Sequence, residues 1–444
     1  GYNPSNINQV LANYNNGFIG SGEQLDINAF NAINGSLANN VSNLWLNIHN
    51  NAGLVYNSFN KTQNDRITLL ANSSFDFLPG GSDRGRHNIQ FGFMYEQRVS
   101  RFWAAAPNGL WTLARLKSND HIIGVDTTQI IGQFEQDGFV YDEFKTLISP
   151  GADDKFYREI RKVVFSDMDL DDAVHLYVNT DGLDPSDLAI GMFSARELND
   201  QGLIGYRGYD YTGERVLEGV KFEDFFTARD EEGRRTFPVA PYNPVYAAGY
   251  IQDKFTFKDI IFRLGVRLDY FDANTKVLKD PYSLYQIMSA NDFHDINGTE
   301  KPQTVGDDYS VYVDGPNSNN IIGYRSGDTW YSPNGSTSSA QDIFFQSDVV
   351  FPKYVRDDID GQFIKTEDFD PSLSFEDYKP QLNVMPRLAF SFPISDEANF
   401  FAHYDILVQR PPSNNIATAL DYFYFPDARQ DVWNNPNLLP ERTV

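Results

Sequence analysis

The sequence predicts an all-β protein: a portion of a large antiparallel transmembrane β-barrel whose long extracellular loops contain short helices. Three observations predict it. Apolar and polar residues alternate with period 2, the alternating segments come in close pairs separated by very long connections, and aromatic residues gather near the segment ends.

The alternation is clearest in Asn88–Val99. Ile89, Phe91, Phe93, Tyr95 and Val99 share one face, with Gln97 the exception, while Gln90, Gly92, Met94, Glu96 and Arg98 share the other. Phe262, Leu264, Val266, Leu268 and Tyr270 likewise oppose Arg263, Gly265, Arg267 and Asp269. Each is a strand with one apolar and one polar face; the charged face needs water and the aromatic face needs something apolar. The segments pair as hairpins over 66–99, 245–271 and 386–409, the second closed by only Lys258-Asp259. Its first member alternates imperfectly, because Asp253 interrupts the face of Ile251, Phe255 and Phe257.

Between the pairs lie 100–244, 272–385 and 410–440, rich in Asp, Asn, Gly and Pro and without sustained alternation. Loops beyond ~15 residues are uncommon in compact soluble domains, whereas a membrane barrel with short turns on one side and long loops on the other has this asymmetry. Short helices are expected within Ser166–Tyr177 and Phe193–Gly202, the latter with Ser194 as N-cap and Gly202 as stop. Phe75, Phe77, Phe255, Phe257, Phe262, Phe390, Phe392, Phe400 and Phe401 fall beside the short turns. Tyr95, Phe102, Trp103, Tyr246, Tyr250, Tyr270, Phe271 and Tyr404 fall toward the long loops. Such rings suit two membrane interfaces; a β-sandwich core with inward Phe is the rival reading.

Composition narrows the function. The 444 residues carry 36 Lys+Arg against 61 Asp+Glu, a net charge of −25, which argues against nucleic acid because phosphate binding needs a basic stripe. The absence of Cys excludes disulfide scaffolds, Cys-ligated metals and thiol nucleophiles. Aromatics at 15% are high for so polar a chain. No apolar run reaches the ~18–20 residues of a spanning helix, which leaves a strand-built membrane protein open.

No catalytic signature is present. The six histidines lack metal-ligand spacing, and neither a GxSxG elbow nor a P-loop occurs. Asp167-Met-Asp-Leu-Asp-Asp172 places carboxylates at alternate positions, as a calcium loop would, but Asp172 stands where an EF-hand needs Gly; a solvated acidic loop is the plainer reading. No enzyme, cofactor or resident metal is therefore expected. Arg98, Arg263, Arg267 and Asp269 are read as lumen-facing, serving either a substrate path or cross-strand pairing. Trp103, Trp111, Tyr209, Tyr211, Trp330, Tyr331, Tyr422 and Tyr424 are the candidate substrate contacts of the loops, with packing between loops as the alternative.

Specific segments carry a family resemblance. Gly249-Tyr-Ile-Gln-Asp-Lys-Phe255, followed by Phe262-Arg-Leu-Gly-Val-Arg-Leu-Asp-Tyr-Phe271, resembles consecutive strands of TonB-dependent outer-membrane receptors, and Asn435-Pro-Asn-Leu-Leu-Pro-Glu441 resembles a segment leading into a later strand. Met385–Ser395, Gln90–Arg98, Gly208–Gly213 and Lys279–Leu284 are similar to the Oar-like subgroup of Bacteroidota. The resemblance spans roughly Lys61 to Val444 and implies a cell-outer-membrane transport receptor, binding a substrate at extracellular loops and importing it through the barrel lumen.

It further implies contact with outer-membrane lipid and with the TonB complex through a plug domain outside this chain, and leaves open whether a surface lipoprotein lid sits on top. The expected organisation is a loop and strand start over 1–60, then an incomplete barrel over 61–444, since such transporters close with ~22 strands. A surface adhesion or protein-docking role, and a secreted soluble β-sandwich binding module, are the alternatives.

Overall fold

The computed structural model describes residues 59–444 except 82–84, 107–108, 217–218, 259, 346–348, 410–415 and 428–433. The segment expected to be a loop and strand start, 1–60, lies outside the described residues save for Phe59 and Asn60, which open the first strand.

The chain is all-β in character, with antiparallel sheets and few helices. Strand β1 (Phe59–Phe77) pairs along its whole length with β2 (His87–Ala105), so this hairpin runs well past the expected 66–99. In the following long connection, helix α1 (Leu110–Asn119) precedes a separate hairpin, β3 (Ile122–Gln136) and β4 (Phe139–Ile148). The expected absence of sustained alternation hid this hairpin, because register shifts at 122–124 and 126–132 break the period. Its turn, Asp137-Gly138, has positive φ at both residues (55° and 79°), the twist a two-residue hairpin requires.

Helix α2 (Phe156–Val164) follows. The Ser166–Tyr177 segment is helical only over Leu170–Ala173, where Asp169 caps the turn by accepting from Asp171 N, so that aspartate serves the backbone. Helix α3 (Ala195–Asp200) has the Ser194 N-cap with Glu197 closing a capping box. Then come β5 (Ile204–Arg207), β6 (Val245–Phe257), β7 (Ile260–Asp272) and β8 (Lys276–Leu278).

The second connection holds α4 (Ala290–Asn297), β9 (Ser310–Val313), β10 (Ile321–Ser326), β11 (Thr329–Tyr331), β12 (Thr337–Ser338), α5 (Ala340–Phe345) and β13 (Phe351–Pro352). Its strands form their own sheet in the order β12-β11-β10-β9-β13. Finally, β14 (Phe375–Asp377) pairs with β8 and precedes β15 (Gln381–Pro393), β16 (Asn399–Asp405), β17 (Leu407–Val408), α6 (Ala419–Phe423) and β18 (Arg442–Thr443).

The main sheet has the order β1-β2-β6-β7-β15-β16, with β5 added beside the upper end of β2. It is a wall rather than a closed barrel among the described residues. β18 pairs with β17, so Asn435–Glu441 does lead into a strand segment.

Register puts Leu69, Phe93, Leu268 and Val384 on one face, together with Ile67, Phe91, Ile251, Val266, Leu264, Leu382 and Leu388. All of these are exposed, Leu69 at 60%, Phe93 at 50% and Val384 at 54%. The opposite face carries Asn72, Glu96, Arg98, Tyr246, Arg267, Asp269 and Arg387.

The long connections fold against one another. Trp103, Phe156, Leu198, Tyr206, Phe225, Phe237, Ile364, Phe375 and Phe423 form one buried core that draws on all three connections and the loop end of β2. The described residues thus form two parts: an apolar-faced wall and a cap with a conventional core.

Candidate functional site

The polar face of the wall gathers charges by cross-strand geometry. Residues directly or diagonally opposite on one face approach within reach of long side chains. Glu96, buried between Arg66 and Arg98, accepts from Arg98 Nε at 2.6 Å, with Arg66 Nη1 3.9 Å away. Tyr246 stands directly opposite Glu96 on β6 and donates to Asp269 Oδ2 at 2.5 Å; Arg267 donates to Asp269 Oδ1 (2.6 Å) and to the Tyr246 hydroxyl (2.9 Å). Tyr250 reaches across β2 to Asn72 (3.2 Å), which only Gly92 permits: a Cβ there would lie 2.5 Å from the Tyr250 ring.

Three of the four residues expected to face the lumen, Arg98, Arg267 and Asp269, therefore sit in ion-pair networks at the loop end. Arg263 lies toward the short turns, exposed, opposite Lys254, and neither has a carboxylate partner among the described residues. Like charges facing each other persist where water screens them.

The apolar face has aromatic residues toward both ends. At the short-turn end, rings step across the strands from Phe77 to His87 (6.3 Å), Phe255 (5.0 Å), Phe262 (5.1 Å), Phe390 (6.4 Å) and Phe400 (6.0 Å). Asp253, which interrupted the apolar pattern, accepts a hydrogen bond from His87 Nδ1 at 2.6 Å inside this row. On the loop side this face carries Tyr95 and Tyr270, in register through Ala247, whereas Tyr404, expected there, stands opposite Leu388, one pleat from the phenylalanine row. The other rings expected there are elsewhere: Phe102, Tyr246, Tyr250 and Phe271 are on the polar face, because a one-residue step reverses the face, while Trp103 keeps the face of Tyr95 but is buried in the core of the cap. Phe401 is likewise on the polar face, opposite Ser391.

Most of the loop aromatics read as candidate substrate contacts are structural in placement. Trp103, Tyr209, Tyr422 and Tyr424 are buried in the cap core, and Trp330 in a satellite core with Tyr312, Ile322 and Ile343. Trp103 donates to Tyr211 O (3.2 Å), and Tyr424 donates to Asp200 (2.8 Å). Half-buried Trp111 donates to Asp181 (3.2 Å), Tyr331 lies tilted against Tyr309 with ring centroids 4.8 Å apart, and Tyr211 packs against the cap. No group of three or more His, Asp or Glu converges as a metal site among the described residues.

A cavity of about 1320 Å³ lies where the upper part of β2 meets the 215–243 loop, the β7–β8 turn, Tyr378 and the start of α6. Arg101, Arg215, Lys221 and Lys276 supply its cations, and Glu223, Asp272 and Asp377 its acids. None of these stood out in the sequence. Arg101 and Tyr378 lie far apart in the chain, and only the folding of the loops brings them to one wall. Burial raises the Tyr378 hydroxyl to about 12, with Tyr242 and Asp272 adding to the effect, so it stays a protonated donor.

No family model, curated protein or solved structure matches this chain.

Proposed function

We propose that the chain forms part of an outer-membrane transport receptor of the TonB-dependent, Oar-like kind, in which folded extracellular loops bind a substrate that passes through the barrel lumen. The observation that carries this reading is the two-faced wall. A six-strand apolar face left exposed, bounded by a phenylalanine row at one end and by Tyr95 and Tyr270 at the other, is matched to lipid. The opposite face, lined by Glu96, Arg98, Tyr246, Arg267 and Asp269, is matched to water.

Dimensions agree with this reading. From Phe262 to Tyr270 is a rise of ~27 Å along the strand, or about 20 Å across the membrane at a barrel tilt, near the ~25 Å apolar band of such barrels. A sandwich would bury that face under a second sheet.

The chain's lack of Cys allows a direct test. Single cysteines at Tyr177, Leu268 and Arg263 in the full-length receptor are treated with a membrane-impermeant maleimide. Tyr177→Cys is expected to label on intact cells, Leu268→Cys to stay shielded even in opened membranes, and Arg263→Cys to label only when the lumen is reached. Equal labelling of Leu268→Cys and Tyr177→Cys in native membranes would sink the reading. For transport, accumulation of substrate that survives collapse of the proton-motive force would exclude a TonB-driven step and leave docking or adhesion.

A further inference from the structure

We infer that the free edge of β4 is a docking strand for an extended, cationic peptide segment of a partner, which adds to the β3–β4 hairpin as a third strand. The inference goes beyond the proposed function, which names no substrate, and rests on it only for placing this loop outside the cell.

The hairpin lacks what a two-stranded ribbon needs. β3 and β4 form a sheet of their own, and a lone hairpin is at best marginally stable in water. Its base is anchored. Ser149 N donates to His121 O at 2.7 Å, buried His121 packs on Tyr157 with ring centroids 4.3 Å apart, and the Thr146 hydroxyl lies 2.7 Å from His175 Nδ1. Beyond that base, Phe139 and Val140 are 67% and 66% exposed. Phe134 and Tyr141, stacked at 5.4 Å across the strands, are 47% and 46% exposed. Apolar residues exposed together on one element mark an interaction site.

The two edges differ. β3 is broken by register shifts between 122 and 132, and Asp126 accepts from Thr128 N at 2.9 Å, a local bond that competes with pairing. β4 runs from Phe139 to Ile148 without Gly, Pro or a bulge of its own. The two-residue turn makes Gln136 and Phe139 a hydrogen-bonded pair, so by alternation Val140 and Asp142 turn their N–H and C=O outward. Those groups have no backbone partner among the described residues, and a row of them is the template for strand addition.

Charge selects the occupant. Asp126 faces Lys145 across the ladder, which leaves Glu135, Asp137, Asp142 and Glu143 around the tip without an ion-pair partner among the described residues. Lysine or arginine side chains on an added strand would stand within cross-strand reach of Asp142 and Glu143. Aliphatic residues between them would cover Phe139 and Tyr141. A second copy of this chain meets the opposite condition. Pairing two β4 edges over the exposed 139–143 sets acid against acid, in a chain of net charge −25.

The test uses the full-length receptor in an uncharged detergent and a fluorescently labelled, end-capped peptide alternating lysine and valine, about eight residues long, within the usual span of a strand. One control is the same peptide with alternate residues of D configuration, which keeps charge and composition but cannot pleat. The other alternates glutamate and valine. Fluorescence anisotropy is expected to show binding of the lysine–valine peptide alone, and hydrogen exchange to show new protection at Val140 and Asp142. Val140→Pro removes an outward N–H while sparing the ladder to β3, and Asp142→Asn with Glu143→Gln removes charge. Each should weaken binding at least ~tenfold. The charge variant leaves the backbone untouched, which separates lost docking from a lost hairpin.

Wild-type affinity in both variants, no binding of the lysine–valine peptide, or equal binding of either control would overturn the inference. Self-association of the receptor that Val140→Pro abolishes, without peptide binding, would overturn it in favour of a second copy. Shielding of Leu268→Cys from maleimide is independent of all these outcomes, so failure of the docking strand is distinguishable from failure of the membrane reading.

Discussion

Wall and cap use the same residues for opposite solvents. Phe75 and Phe257 on the wall are 51% and 60% exposed, while Phe156, Phe225 and Phe423 in the cap are 0%, 1% and 0% exposed. In the cap, rings meet edge to face at about the spacing of a protein core, Phe423 lying 5.5 Å from Phe225 and 5.3 Å from Phe237. On the wall they form rows one strand apart with open space beyond. Polar groups divide the same way. Arg161, fully buried in the cap, donates to five oxygens, including the carbonyls of Ser118, Tyr157, Ala173 and Leu176. Arg263 on the wall is exposed, with no carboxylate partner among the described residues. A buried face in one part and an exposed face in the other mean that the two parts were selected against different surroundings.

The largest expected effect tests the cap. Phe423→Ala empties a fully enclosed site and should cost ~3–5 kcal/mol, whereas Phe93→Ala on the exposed face of the wall leaves no enclosed cavity and, under the proposed lipid-facing reading, should cost only the transfer term, ~1.5–3 kcal/mol. Limited proteolysis of the folded protein separates the two, with cleavage rising in the 100–244 loop for Phe423→Ala alone. Equal effects would mean that a protein layer covers the wall.

Next in size, Val266→Arg places a charge in the belt and should lower stability by ~2–4 kcal/mol in vesicle-refolding titrations with urea. Gln252→Arg, on the polar face of the neighbouring strand, should change it by less than ~1 kcal/mol. Reversal of that order would exchange the two faces. Smaller again, His87→Ala strips the partner from Asp253 within the phenylalanine row and should cost ~1–3 kcal/mol, recovered in part by the added change Asp253→Ala.

The wall was legible in the sequence because its signal is local. Period 2 and a short turn fix which residues share a face, so Leu264, Val266 and Leu268 could be grouped without knowing their neighbours. Even Asp253 was visible as an interruption, though its partner His87 was not, since pairing β2 with β6 spans the first long connection. The cap was illegible for the opposite reason. Its core joins Trp103, Phe225, Ile364 and Phe423 across the chain, so no window contains the pattern. The β3–β4 hairpin falls between these cases: bulges erased its alternation, but Asp137-Gly138 was a turn signal that could have found it. The aromatic loop candidates were chosen by residue type alone, and residue type does not separate a ring that grips a ligand from one that fills a core.

The smallest effect distinguishes the parts by pH. Glu197, 2% exposed, holds the backbone N–H groups of Ser194, Lys155 and Phe156, yet burial outweighs these bonds and raises its carboxyl above the ordinary 4.5, with Asp154 adding to the rise. A raised carboxyl binds its proton more tightly in the folded cap than in the unfolded chain. Its contribution is therefore complete below 4.5 and is lost as the pH climbs through the raised value. Glu197→Gln removes that proton equilibrium. The thermal stability of the cap, followed by near-ultraviolet circular dichroism between pH 4 and pH 8, should fall less steeply with rising pH in the variant than in the parent. Loss of two of the carboxylate's hydrogen bonds lowers the variant's baseline, so the slope and not the offset is the readout. Parallel slopes would place the Glu197 carboxyl at its ordinary value and the polar support of α3 in contact with water.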